Sequence, residues 1–271
     1  MGCALGLYNT LTFTQSEELS FSGCEAAYQN ENNLAYQAYC RVLTALGLEK
    51  ECVKIDIDAN IPVSRGLGSS AALLAAGAVA ANALHGSPLS KEQLLAICTE
   101  LEGHPDNVAP ALLGGLTASF MAGDEVVSVS YDVHSDLRFV ALIPNFPLST
   151  HAARSVLPAF VPHDDAVFNT AHAAVLPKAL ALGDEKLLAL ALQDRIHQPY
   201  RRRLVHEYDE LERLAAENGC GAFCISGAGP TLLALTKDGD FARRMAEGAS
   251  KLSYCWQVLE LPVDFEGAKL L

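Results

Sequence analysis

A glycine-rich loop that runs directly into an alanine-rich segment constrains the fold of this chain more than any other feature. The loop belongs to the run PVSRGLGSSAA at residues 62–72. Glycine lets backbone N–H groups approach a ligand closely because it has no Cβ. The first turn of a following helix adds N–H groups without helical acceptors, together with the positive end of the helix dipole. The pattern therefore predicts an anion site at a helix start, with phosphate as the usual anion.

The run matches neither of two common phosphate-binding motifs. A P-loop requires a lysine before its hydroxyl residue, and no lysine lies between Lys54 and Lys91. The dinucleotide fingerprint requires a third glycine at a fixed spacing. Positive charge for a phosphate must then come from a metal ion, from distant arginines or from the helix itself. The alternative interpretation is an ordinary glycine turn before a helix that Ser69 or Ser70 caps.

Composition limits the classes of function. The 271 residues allow one large domain or two modest ones, and 50% of them are hydrophobic, which is enough for a core. A net charge of −13 argues against a nucleic-acid surface and against binding to an anionic membrane. The eight cysteines form no CxxC pair and indicate small core residues in a reducing cytoplasm. The apolar stretch at 71–84 is shorter than the roughly 20 residues of a membrane span, so we expect a buried helix.

Periodicity and capping patterns place the elements of the first half. We expect strands at 3–14 and 52–60, helices at 33–47, after the glycine loop and at 107–113, and strands at 115–120 and 125–131. Ser90 and Gln93 fit a capping box before a further helix. Glu102 lies beside the apolar stripe of that helix, where an acid needs a partner such as a metal ion or an arginine.

The second half predicts a different order of elements. A strand at 138–144 is followed by a helical region at 165–217, strands at 221–225 and 231–236, a helix at 239–250 and a strand at 253–260. This order is that of a split βαβ, or ferredoxin-like, domain. We place the boundary between two α+β domains near residue 134.

Three segments, taken together, carry a family resemblance. In order and spacing, PVSRGLGSSAA at 62–72, EGHPDNVAPALLGG at 102–115 and SGAGPT at 226–231 closely resemble the GHMP kinases, a family of small-molecule kinases. The middle segment is similar to the branch that phosphorylates homoserine. So are STHAAR at 149–154 and HQPYR at 197–201.

The resemblance implies a fold and a reaction. Residues 1–133 would form the N-terminal ATP-binding domain, similar to ribosomal protein S5, and residues 134–271 the ferredoxin-like C-terminal domain. The enzyme would transfer a phosphoryl group from ATP to the hydroxyl of L-homoserine with the help of Mg²⁺. The product, O-phospho-L-homoserine, leads to threonine. The resemblance also suggests a cytoplasmic homodimer.

The resemblance further implies roles for individual residues. Ser70 and Glu102 would hold Mg²⁺, while His104, Arg154 and Arg201 would contact L-homoserine between the domains. Asn107 would stand where other members of the family have a catalytic base, and an asparagine cannot accept a proton. Direct attack by the substrate hydroxyl is therefore expected, with Asp106 as the alternative base. The turn at 226–230 would support the nucleotide loop. The residues implied to bind ATP are Pro62, Val63, Ser64, Arg65, Gly66, Leu67, Gly68, Ser69, Ser70, Ala71 and Ala72.

Each of these residues also has a structural interpretation when it is considered alone. Glu102 would be a helix-end acid paired with a lysine, and His104 would satisfy a hydrogen bond in the core. Asp106 and Asn107 would cap the helix that comes after them. Arginines such as Arg154 would be solvated. His197 is taken as structural.

One family motif is missing. The family's opening loop, P-A-T-x-A-N-x-G-P-G-F-D, is absent, and residues 1–8 match the segment that normally comes after that loop. We expect that the natural start has been lost, and a chain truly beginning at Met1 would be poorly soluble and weakly active. The competing hypotheses are another GHMP kinase, acting on a sugar, mevalonate or shikimate, and an inactive remnant that binds nucleotide.

Overall fold

The computed structural model describes all 271 residues, which form two compact units. The first unit comprises Met1–Pro62, Gly68–Ser130 and Val263–Leu271, and the second comprises Val63–Leu67 and Tyr131–Pro262. The glycine-rich segment 62–72 is thus divided, since residues 63–67 belong to the second unit. The domain boundary near residue 134 stays a prediction.

The first unit contains two three-stranded sheets and four helices. Its elements are β1 (Gly2–Cys3), β2 (Thr10–Gln15), β3 (Ser20–Ser22), α1 (Leu34–Ala45), β4 (Val53–Asp58), α2 (Ser69–Leu84), α3 (Lys91–Glu102), α4 (Val108–Leu113), β5 (Leu116–Ala122) and β6 (Glu125–Tyr131). One sheet has the order β1-β5-β6 and the other has the order β2-β4-β3. Strand β4 is antiparallel to β2 and parallel to β3.

The predicted single strand at 3–14 is wrong, because the chain changes sheets within it. Strand β1 pairs with β5, with Gly2 opposite Thr117, whereas β2 pairs with β4. Between them the side chain of Asn9 accepts hydrogen bonds from the backbone N–H groups of Asn60 and Ile61, each at 2.8 Å. These bonds hold Asn9 next to the residues that come after β4 in the second sheet. The short strand β3 was not predicted from the sequence.

The helix starts test two predictions of capping. The N-cap of α2 is Gly68, in the left-handed conformation, and no side chain caps this helix. Capping by Ser69 or Ser70 is therefore wrong. The capping box before α3 is confirmed, since Ser90 accepts from the Gln93 N–H and the Gln93 side chain accepts from the Ser90 N–H.

The core of the first unit lies around α2. The small side chains of Ala71, Ala75 and Ala78 on this helix are buried, and they pack in one cluster with Tyr39 of α1 and Ile55 of β4. Alanine allows a close approach of helix backbones, so α2 is buried along most of its length. No helix of the structure is both long and apolar enough to cross a membrane.

The second unit has one four-stranded antiparallel sheet covered by helices. Its elements are β7 (Arg138–Pro144), α5 (Thr150–Ser155), α6 (His163–Leu182), α7 (Glu185–Ala191), α8 (Gln198–Arg201), α9 (Tyr208–Glu217), β8 (Phe223–Ile225), β9 (Leu232–Thr236), α10 (Phe241–Ala249) and β10 (Trp256–Leu261). The strand order is β10-β7-β9-β8, which is 4-1-3-2 by appearance. This is the ferredoxin-like arrangement that the sequence predicted. Helix α5 was not predicted, and the helical region at 165–217 is four separate helices.

Candidate active site

The first turn of α2 offers donors to an anion. Gly68 has φ +73°, and a Cβ placed there would meet no atom within 4 Å, so space is open above the backbone. The helix bonds begin with the Ala72 N–H donating to the Gly68 carbonyl at 3.0 Å. The N–H groups at the start of this helix have no helical acceptor and no side-chain cap. This arrangement suits a phosphate group.

An acid lies beside this helix start. The Ser70 hydroxyl donates to Glu102 Oε2 at 2.5 Å, and both residues are half-buried. Glu102 is the last residue of α3, where the helix dipole disfavours a negative charge. Glu102 is thus paired with Ser70 and not with a lysine, which was the alternative interpretation of this acid.

The Ser70 and Glu102 oxygens fit a hard divalent cation. Mg²⁺ is bound in proteins by one or two oxygen side chains and takes its other ligands from phosphates and water. No cluster of three or more His, Cys, Asp or Glu side chains is present to form an all-protein cage. The Ser70 and Glu102 oxygens, beside the uncapped start of α2, are therefore suited to a cation that takes its remaining ligands from a phosphate.

The segment after α3 places three predicted residues close to one another in sequence and space. His104 Nδ1 lies 2.5 Å from Asp106 Oδ1. Asn107 is the N-cap residue of α4, but its side chain makes no capping bond and is exposed. The interpretation of Asp106 and Asn107 as side-chain caps is therefore wrong. The Asp106 carboxylate lies next to the His104 imidazole.

The two predicted arginines lie in the second unit, on neighbouring elements. Arg154 is in the last turn of α5 and Arg201 is in the last turn of α8. Arg201 donates from Nε to the Ala153 carbonyl at 3.2 Å and from Nη1 to the Gly227 carbonyl at 3.0 Å. Burial, and then the like charge of Arg154, lower the pKa of Arg201. Two adjacent guanidinium groups favour an anion such as a carboxylate.

The turn at 226–230 contacts the part of the glycine loop that belongs to the same unit. The Ser226 hydroxyl donates to the Gly66 carbonyl at 2.8 Å, and the Thr231 N–H donates to the Arg65 carbonyl at 3.2 Å. A Cβ on Gly66 would lie 2.4 Å from the Ser226 carbonyl oxygen, so only glycine fits. The turn thus holds residues 65–66 in place.

Arg65 makes contacts that the sequence did not predict. Its guanidinium donates to the carbonyls of Pro144 and Asn145, each at 3.0 Å, and of Val63 at 2.9 Å. These bonds fix the loop against the end of β7 within the second unit. Direct contact between Arg65 and a nucleotide stays a prediction.

The sequence also missed a buried carboxylate, that of Asp194. Its Oδ2 atom accepts from the N–H groups of His197 at 2.8 Å and Gln198 at 2.6 Å, and its Oδ1 atom accepts from the Asn169 amide at 2.5 Å. Burial acts to raise the pKa of Asp194, but these hydrogen bonds bring the pKa below its usual value. Burial lowers the pKa of His197. The available sequence signal was an aspartate three residues before the HQPYR run.

Comparisons with known proteins identify the family of this chain. The model of the GHMP kinase N-terminal domain matches residues 33–115, and that of the GHMP kinase C-terminal domain matches residues 177–254. The chain is 40% identical to a homoserine kinase of Clostridium botulinum (strain ATCC 19397 / Type A) over 268 residues, which is 97% of this chain and 90% of that protein. The chain belongs to the GHMP kinase family.

Two further members of the GHMP kinase family are similar over nearly the whole chain. A homoserine kinase of Nostoc punctiforme is 43% identical over 284 residues, covering 99% of this chain and 91% of that protein. The crystal structure of a homoserine kinase from Cytophaga hutchinsonii superposes with a TM-score of 0.85 at 26% identity, covering 96% of this chain and 86% of the other. The GHMP kinase fold and the predicted resemblance to the homoserine branch are confirmed.

Proposed function

We propose that this GHMP kinase transfers the γ-phosphoryl group of ATP to the hydroxyl of L-homoserine and forms O-phospho-L-homoserine for threonine biosynthesis. The observation that carries the proposal is the Ser70–Glu102 pair, 2.5 Å apart, at a helix start whose N–H groups have no side-chain cap. The relatives named homoserine kinase support the choice of substrate.

In the proposed mechanism the segment 62–72 binds the triphosphate of ATP through backbone N–H groups. Ser70 and Glu102 would hold Mg²⁺. The bound ion would supply charge neutralisation for the phosphate oxygens during transfer. Because the donors at the start of α2 are fixed by the helix, they need no reorganisation as charge develops.

The substrate residues have complementary chemistry in this proposal. Arg154 and Arg201 bind the α-carboxylate, and His104 and Asn107 contact the rest of the substrate near its hydroxyl. The hydroxyl oxygen forms a bond to the γ-phosphorus while the bond to the β,γ-bridging oxygen breaks and its electrons leave with ADP. The hydroxyl proton passes to a phosphate oxygen. Asp106 is the alternative base.

The setting of the enzyme is part of the same proposal. All eight cysteines are free thiols, which agrees with a reducing compartment. We place the protein in the cytoplasm, with a homodimer as the assembly suggested by the family resemblance.

A coupled assay of ADP release over a panel of alcohols tests the proposed function. We expect turnover with L-homoserine and at least about 100-fold lower kcat/KM with mevalonate, shikimate and galactose, since a site built for one substrate's polar groups rejects others strongly. Preference for one of the other alcohols would assign the chain to a different branch of the family. ATP binding with no turnover of any alcohol would support the inactive remnant.

The role of the carboxylate is tested by E102Q with E100Q as its control. We expect E102Q to lower kcat/KM about 100-fold and to shift the Mg²⁺ titration to higher concentration, because a bound cation stabilises transition-state charge by several kcal/mol. Glu100 lies on the same helix and pairs with Arg41 at 2.7 Å on the surface. The E100Q variant should stay within about twofold of the parent enzyme. Equal losses in the two variants would contradict a metal role for Glu102.

A further inference from the structure

Arg201 is carried by a helix that is too short to hold it alone. Helix α8 spans only Gln198–Arg201 and is continued by a single 3₁₀ turn at Arg202–Leu204. An isolated turn of this length is unstable, because nucleation fixes several dihedral angles for one hydrogen bond. A guanidinium that binds a carboxylate in two-pronged fashion also needs a fixed direction. Some other group in the second unit must therefore fix this turn.

Asp194 is the group that does so. Its side chain is only 7% exposed, and its Oδ2 atom accepts from the first two N–H groups of the turn, those of His197 and Gln198, at 2.8 and 2.6 Å. The amide of Asn169, on α6, donates to its other oxygen at 2.5 Å. The carboxylate therefore ties the start of α8 to α6.

The contacts continue from Asp194 to the guanidinium. The His197 ring lies between them, with Nε2 at 3.8 Å from Asp194 Oδ1 and Nδ1 at 3.5 Å from Arg201 Nη1. Gln198 fixes the other side of the turn by accepting from the Ile225 N–H at 2.8 Å. Arg201 forms no ion pair within the structure, although Asp194 attracts it electrostatically. Its charge is thus held in place by hydrogen bonds to carbonyls and by the position of its helix.

We propose that Asp194 is the positioning residue for Arg201: it caps α8 and so fixes the direction in which the guanidinium is presented to the substrate carboxylate. The inference rests on the proposed function, in which Arg201 binds the carboxylate of L-homoserine. Asp194 itself touches no substrate in this scheme. Its removal should weaken carboxylate recognition and leave the phosphoryl-transfer groups unchanged.

The substitution D194N tests the inference with little change of shape. An asparagine has one acceptor oxygen, so it can accept from the two N–H groups of the turn or from Asn169, but not from both. The matched control is D184N, because Asp184 caps α7 in the same unit by accepting from the N–H groups of Lys186 and Leu187, each at 3.1 Å. Both variants change a capping carboxylate into an amide with a single acceptor oxygen, and only one of these caps belongs to the helix of Arg201.

A first measurement monitors the geometry without any substrate. In the parent protein the Arg201 Nε–H should give a distinct NMR signal because it donates to the Ala153 carbonyl at 3.2 Å, and R201K assigns it by removing it. We expect D194N to move this signal to the position of solvated arginines and D184N to leave it unchanged. An unchanged signal in D194N would overturn the inference. Should D194N fail to fold, N169A removes the tie of Asp194 to α6 and leaves its bonds to the turn. We then expect a smaller movement of the same signal, and no movement would overturn the inference.

A second measurement monitors the kinetic consequence. We expect D194N to raise the KM for L-homoserine about tenfold, since small displacements of a positioning group are costly, with the KM for ATP unchanged. For 3-aminopropan-1-ol, which lacks the carboxylate, D194N and the parent enzyme should be equal. In an R201A background D194N should have no further effect, because the two residues act as a unit. Additive losses, or equal losses in D184N, would show a merely structural role and overturn the inference.

Failure of the proposed function would give a different pattern. A parent enzyme without L-homoserine turnover would contradict the proposed substrate, and the NMR comparison would still decide whether Asp194 fixes Arg201. A parent enzyme that is active, with an Arg201 signal insensitive to D194N, would contradict the positioning role alone.

Discussion

Gly66 and Gly68 show how one residue type meets two different demands within three positions. Both have φ +73°, a conformation that other residues adopt only with strain. Around Gly66 the backbone of the 226–230 turn leaves no room for a Cβ, whereas around Gly68 nothing lies within 4 Å. The sequence predicted glycines for close approach to a ligand. Only Gly68 has the open surroundings that such an approach requires.

We predict that alanine at Gly66 mainly affects stability, whereas alanine at Gly68 mainly affects the binding of ATP. G66A should destabilise the protein by about 3 kcal/mol, from backbone strain plus the collision with the Ser226 carbonyl oxygen. G68A should cost only about 1 kcal/mol of strain, but its methyl group would project into the space proposed for phosphate. Urea unfolding with ATP kinetics checks both, and we expect G68A to raise the KM for ATP about tenfold. A G68A variant with normal ATP affinity would argue against phosphate binding above this residue.

Single residues of the site were predictable to different degrees. The position of Glu102 at the edge of an apolar stripe indicated that it needs a partner. Its partner, Ser70, is 32 positions away, and only the family resemblance assigned both residues to one site. Asp194 was missed because a cap on a four-residue helix leaves no periodic pattern. Its importance depends on burial, which a single sequence does not show.

At the scale of elements, local patterns were reliable where one element stays in one environment. Strand β4 alternates buried and exposed residues along its six residues, and the prediction at 52–60 was correct apart from its ends. The prediction at 3–14 failed because β1 and β2, which belong to different sheets, are joined by a segment with no glycine–proline or similar turn signal. The helical region after residue 165 breaks three times. The first break had a sequence signal that the prediction did not use, since Gly183 ends α6 and Asp184 caps α7. The breaks before and after α8 have no glycine to mark them.

Helix α2 provides a prediction at this scale, in which packing opposes helix propensity. A Cβ on Gly77 would lie 1.9 Å from the Ala35 carbonyl oxygen, which is backbone of α1 and cannot move aside easily. Alanine is better than glycine in a helix by about 1 kcal/mol. We nevertheless expect G77A to lower the free energy of unfolding by about 2 kcal/mol or more, because α1 and α2 would have to separate. Urea denaturation followed by circular dichroism measures this change.

The control for G77A is G248A, at a helical glycine in α10. There the added Cβ would meet only the side chain of Leu214, the nearest methyl group at 2.4 Å, and a side chain can change rotamer. The gain in helix propensity should offset the rearrangement, so the free energy of unfolding should change by less than about 1 kcal/mol. Similar losses for G77A and G248A would mean that α1 and α2 do not approach as closely as the structure has them.

The whole molecule combines a strongly negative charge with a proposed site for anions. The chain has 32 acidic and 19 basic residues, which gives a net charge of −13. A phosphate or carboxylate responds to the groups within a few ångströms of it, because salt at physiological strength screens exposed charges beyond about 8 Å. Backbone N–H groups at α2 and guanidinium groups at α5 and α8 can therefore act locally despite the overall charge. The excess of acidic residues should instead affect the stability of the fold through repulsion among like charges.

We predict that salt stabilises the molecule. Repulsion among the excess carboxylates opposes the compact state, and screening relieves it. Salt also weakens ion pairs, but those formed here are mostly on the surface, such as Arg213–Glu217 with side chains 68% and 56% exposed. Such pairs contribute little, so we expect relief of repulsion to dominate and to add about 1 kcal/mol between 50 and 500 mM NaCl. Differential scanning fluorimetry should then show a rise in melting temperature of about 2–4 °C.

The control separates screening from a general effect of solutes on protein surfaces. Sucrose at matched osmolality stabilises by exclusion and does not screen charge. We expect the gain from NaCl to shrink near pH 5, where the net charge approaches zero because the isoelectric point of the sequence is about 5.0, while the gain from sucrose persists. A fall in melting temperature with NaCl at pH 7.5 would mean that the ion pairs outweigh the repulsion and that the excess charge is already well separated within each unit.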